Sequence, residues 1–120
     1  MKGTDNGDTV NAVISGDGST IAFISTATNL TGAVTDTNSA ADIFLWAATL
    51  GQVTLISTDN GAITDLGVGD NLDISNNGRF IAFNSRSKMT GLDSNVSLND
   101  VYVYDGTEQT LEIVSSKGTE

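Results

Sequence analysis

Short runs of β-branched and aromatic residues alternate along the whole chain with clusters of Gly, Asn, Asp, Ser and Thr, and apolar residues do not recur at three- and four-residue spacing. Such a pattern marks strands separated by turns rather than amphipathic helices. It predicts eight strands and no helix of consequence. In the first half they lie near Val10–Ser15, Thr20–Ser25, Asp42–Trp46 and Val53–Ser57. In the second they lie near Asp70–Ser75, Arg79–Ser85, Asp100–Tyr104 and Leu111–Ser115. Gly16-Asp17-Gly18 and Asn76-Asn77-Gly78 join the first two strands of each half, where an Asp-Gly or Asn-Gly pair predicts a two-residue hairpin turn with positive φ.

The two halves are copies. The stretch from Asn11 to Ser25 returns sixty positions later as Asn71 to Ser85, with Ile-Ser, Gly and Ile-Ala-Phe in the same places. Leu30-Thr31-Gly32 returns as Met89-Thr90-Gly91, and Asp42-Ile43-Phe44 as Asp100-Val101-Tyr102. Self-similarity at a fixed period is the signature of propellers and other repeat arrays. Residues 1–60 and 61–120 are therefore read as two units of one design. Ile21-Ala22-Phe23-Ile24, Ile43-Phe44-Leu45-Trp46 and Val101-Tyr102-Val103-Tyr104 are apolar on successive residues, as in a sheet covered on both faces. In an all-β chain only other sheets can provide that cover, which is the situation of a four-stranded blade between its neighbours in a propeller.

The pattern I-S-x-D/N-G-x-x-I-A-F-x-S, followed by N-L-x-G, D-x-N, D-I-F and an Ile-Ser or Val-Ser ending, resembles the TolB-like propeller repeats, also called PD40 or WD40-like. The resemblance runs through nearly all of both halves. It departs from the family at the missing Pro of S-P-D-G and at Ala47, where an Asp is frequent and where the second copy keeps Asp105. It implies a propeller of typically six or more blades, a periplasmic, secreted or cell-surface parent, a role in protein interaction, and no catalysis intrinsic to the repeat.

Two blades leave one flank of each uncovered, and soluble proteins rarely expose so much apolar surface. Two expectations follow. Either the chain is a two-blade piece of a longer array, excised or designed, as the recurrence of the linker theme in Thr4-Asp5-Asn6-Gly7 and Thr58-Asp59-Asn60-Gly61 suggests, or copies close head to tail into a ring. The preferred ring is a homotrimer of six blades with Ile21, Phe23, Phe44 and Val101 largely buried; a homotetramer of eight blades comes second.

Fifteen acidic against five basic residues give a formal charge of −10, which repels a phosphate backbone, so no nucleic-acid partner is expected. No run approaches the length of a membrane helix and none resembles a signal peptide, so no membrane partner is expected either. His and Cys are both absent, which removes the commonest general base, nucleophile activator and transition-metal ligands. No enzyme is read from the sequence. The long loops, Thr26–Ala41, Arg86–Asn99 and Thr58–Gly69, fall on one side of an up-and-down blade and are the seat expected for a protein or carbohydrate ligand. Together with their edges and the leading linker they carry Asp5, Asp8, Asp36, Asp42, Asp59, Asp65, Asp93 and Asp100, eight of the fifteen acidic residues, which predicts an acidic face. Asp36, Asn38 and Asp42, copied as Asp93, Asn95 and Asp100, have the oxygen chemistry a Ca²⁺ ion takes. Turn capping and anchoring of the loop to the third strand is the preferred role for them, since the alternating ligands of an EF-hand loop are missing. Trp46, Tyr102 and Tyr104 are read as blade packing before a sugar platform. Gly67-Val68-Gly69 lacks the helix of a phosphate loop and is read as the entry to the fifth strand.

Overall fold

The computed structural model describes residues 6–31, 40–59, 62–63, 68–86 and 99–115. Among them there is no helix, and two four-stranded antiparallel sheets dominate. The first is a meander of β1 (Thr9–Ile14), β2 (Thr20–Ser25), β3 (Asp42–Ala47) and β4 (Gln52–Leu55). A two-stranded ribbon of β5 (Thr58–Asp59) and β6 (Ala62–Ile63), which the sequence pattern does not predict, follows. The second sheet repeats the meander with β7 (Val68–Ile74), β8 (Phe80–Ser85), β9 (Asp100–Asp105) and β10 (Thr110–Ile113). Val68 and Gly69 thus belong to a strand rather than leading into one.

The turns between the first two strands of each sheet differ from the two-residue hairpin expected. Ser15 N–H donates to Thr20 O at 2.9 Å and Ser75 N–H to Phe80 O at 2.9 Å, so four residues span each turn. Only the glycines adopt positive φ, 73° at Gly18 and 76° at Gly78. The Asp or Asn before them acts through its side chain instead: Asp17 Oδ1 accepts from Ser15 Oγ at 2.7 Å and from Ser19 N at 2.9 Å. Asn77 Oδ1 does the same for Ser75 Oγ at 2.9 Å and Arg79 N at 3.0 Å. Each Ser oxygen then accepts from the first amide of the next strand, Thr20 or Phe80. The Ser-x-Asp/Asn-Gly motif is one closed hydrogen-bond circuit, which explains its return in both copies.

β4 and β10 end two residues before the sequence pattern stops. Ile56 N–H still donates to Ile43 O at 2.9 Å and Val114 N–H to Val101 O at 2.8 Å. The next ladder bond is taken over by a side chain, as Ile43 N–H donates to Ser57 Oγ at 3.0 Å and Val101 N–H to Ser115 Oγ at 2.9 Å.

Register decides which face of each sheet meets the other. Ala22 pairs with Val13 and Leu45, and Ile24 with Ile43, so these side chains share one face of the first sheet. Leu72, Ile74, Ile81, Phe83, Tyr102, Tyr104, Leu111 and Ile113 share one face of the second by the same alternation. Those two faces form a single core, with Phe83 stacked on Tyr102 at 5.8 Å between ring centres. They are not the same face of the repeat. Phe83 and Tyr102 are the copies of Phe23 and Phe44, which stack at 5.7 Å on the opposite face of the first sheet. The sheets therefore pack front to back, and the same step could continue at either end.

Candidate functional site

The front-to-back step leaves two flanks without a blade against them. On the second sheet it is the face of Phe80, Ala82, Val101 and Val103, with Val114 beside it. Every one of these copies a position that the second sheet covers in the first. Ile43 is 0% exposed and its copy Val101 41%; Ile56 is 3% exposed and its copy Val114 54%; Thr20 is 8% exposed and its copy Phe80 40%. Two copies turn polar, Asp73 for Val13 and Asn84 for Ile24, and with Ala82 and Val101 they line a shallow groove of about 360 Å³. On the first sheet the open flank holds Ile14, at 60% exposed, with half-buried Ile21, Phe23, Trp46 and Val53. Their copies Ile81 and Phe83 are buried. Phe44 lies under Phe23 and is already buried.

Arg79 borders the second flank. Its guanidinium donates two bonds of 2.9 Å to the carboxylate oxygens of Asp105 and lies 4.8 Å over the Phe80 ring. Those bonds from Arg79 hold the Asp105 carboxyl down to about 2. Ser19 and Ser15 lower that of Asp17 through their hydrogen bonds. Burial raises Tyr104, and the charge of Asp105 adds to the effect.

Of the six loop residues singled out above, Asp36, Asn38, Asp93 and Asn95 lie outside the described residues. Asp42 and Asp100 do not contribute to an acidic face, because both are buried. Ser57 Oγ donates to Asp42 Oδ1 at 2.8 Å, and Ser115 Oγ donates to Asp100 Oδ1 at 2.8 Å. Each carboxylate thus fixes the serine that ends the ladder of its own sheet. Among the described residues no three acidic, His or Cys side chains come together as metal ligands would. Tyr102 is buried in the shared core, with Tyr104 packed against it, while Trp46 stays on the open flank.

Ile14 and Val114 lie inside the repeat motif and Phe80 at one of its variable positions, so the motif itself does not mark them as open. Aligning the copies exposes them: an apolar residue at 80 where the first copy has Thr20, and one at 114 where the first copy buries Ile56.

No family model matches the chain, and no curated protein matches it. Among solved structures it is similar to the tricorn protease, a β-propeller protein, with a TM-score of 0.57 and 17% identity. The match covers 96% of this chain and 9% of the protease chain, so the chain spans about a tenth of that protein's length. At that identity the likeness is one of fold. The chain is an all-β protein built of two propeller-like blades.

Proposed function

We propose that this chain is a non-catalytic scaffold unit of TolB-like propeller type, whose two blades are completed into a closed ring by further copies meeting head to tail. The observation that carries this is the exposure of Val101, Val114 and Phe80 at positions where the first copy buries Ile43, Ile56 and Thr20 under a blade. The flank that would cover them carries the repeat copies of the residues already doing so inside the chain. Among the described residues it presents Ile14, Ile21, Phe23 and Trp46, and the one carboxylate on that face, Asp42, is buried. A heterologous contact of this kind closes when its rotation divides the circle, and three chains give six blades. Each chain carries −10, so salt, by screening the repulsion, strengthens assembly. The absence of His and Cys removes the usual nucleophile-activating groups and fits a role in binding rather than turnover.

The test is light scattering on the chain and on Val101→Asp. The chain is expected at about three times the monomer mass, and the variant, with a charge in the centre of the contact, at the monomer mass with its strand circular dichroism kept. Four times the monomer mass transfers the ring to eight blades. A variant that keeps the full assembled mass, or a parent chain that is a folded monomer, contradicts the proposal.

A further inference from the structure

Inside the chain the two blades are keyed to each other by their first turns. Asp17 N–H donates to Asn76 O at 3.0 Å, across the blade boundary. A side chain at Gly16 would collide with the Asn76 side chain, and one at buried Gly78 with the Thr20 hydroxyl. Gly78 needs to be glycine for its positive φ as well, whereas Gly16 has no positive φ and the exposed Asn76 side chain occupies the place its Cβ would take. Asn76 is the copy of Gly16, so the pair meeting at the boundary is one glycine and one asparagine.

Repeating the step from the second blade of one copy to the first blade of the next preserves that match. Asn76 would again meet Gly16, which has no side chain to displace it. Asn77 N–H, the copy of Asp17 N–H, would reach Gly16 O of the next copy. Phe80, the copy of Thr20, would face Gly18, the copy of Gly78. A Cβ built on Gly18 meets nothing within 4 Å, because no blade stands against that turn inside the chain, so the turn is open to the ring. The ring is already positioned, with Arg79, itself pinned by Asp105, over it.

Resting on the head-to-tail assembly proposed above, we infer that the β1–β2 turn of a second copy, Gly16 to Ser19, is the partner of Phe80 and Asn76, and that this contact sets the register between copies. The alternation of Gly16 and Asn76 makes the chain complementary to itself with the two-blade step.

The experiment places p-benzoylphenylalanine at Phe80, refolds isotope-labelled and unlabelled chains together, irradiates, and maps the cross-links by mass spectrometry alongside the mass in solution. Mixed-isotope cross-links from position 80 to the segment Ser15–Thr20 are expected. Cross-links between copies to any other segment, or none in a sample of assembled mass, overturn this contact and leave the ring standing. A sample at monomer mass without cross-links, where the unmodified chain is also monomeric, overturns both.

Discussion

Phe83→Ala is expected to lower the stability of the chain by about 3–5 kcal/mol, the loss typical of an aromatic side chain removed from a packed core. The ring is buried where the two sheets meet, stacked on Tyr102 in the core it shares with Ile24, Ile43 and Ile81. Backbone on both sides is held in ladders, so the cavity cannot collapse. Phe23→Ala is the informative partner, because Phe23 occupies the same place in the first copy but lies half-buried on the open flank. In dilute solution, where the chains are separate, the loss at Phe23 is expected to be roughly half that at Phe83, in proportion to the area already removed from water. The two losses should converge as concentration rises and a neighbouring blade covers Phe23. Urea unfolding at two protein concentrations measures both, and equal losses under dilute conditions would contradict the assigned flank.

Asp42→Ala is expected to cost about 1–3 kcal/mol, the penalty for leaving a buried hydrogen-bonding group without its partner. Ser57 Oγ accepts from Ile43 N–H and donates to Asp42, so the carboxylate orients the hydroxyl that closes the ladder. Asp42→Asn keeps an acceptor oxygen and should recover most of the loss. Asp100→Ala removes the same bond to Ser115, at a position with slightly more access to water, and its effect should be the smaller. Thermal or urea unfolding of the three variants reads the order. A change within error at both Asp42 and Asp100 would remove the anchoring role altogether.

Strands were legible in the chain because both physical signals agreed: apolar runs of β-branched residues, and Gly with Asp or Asn at the breaks. Antiparallel pairing of β1 with β2 and of β3 with β4 follows from the shortness of those connections, pairing across the long β2–β3 loop from the blade that the repeat resembles, and a covered sheet from successive apolar residues in β2, β3 and β9. Turn geometry was read less well. Asp17 and Asn77 looked like the first residue of a two-residue turn, yet they act through side-chain acceptors, a choice that dipeptide preference cannot distinguish. Asp42 and Asp100 read as members of an acidic loop face because sequence does not reveal that Ser57 and Ser115, fifteen residues further on, return to them. An open flank on each blade is expected from the two repeats, but the motif does not say which of its residues lie on it. Exposure of Val101 or Val114 is a property of which blade is last, not of the residue, and becomes apparent only when each copy is compared with the other in place.

The most direct measurement of the central claim, that each open flank is the counterpart of the other, is the melting temperature as a function of protein concentration. When the folded state is an assembly, mass action makes melting temperature rise with concentration. A steady rise from micromolar to millimolar chain, abolished by Val101→Asp, is the predicted result. A melting temperature independent of concentration over that range, in a chain whose mass stays that of the monomer, would contradict it.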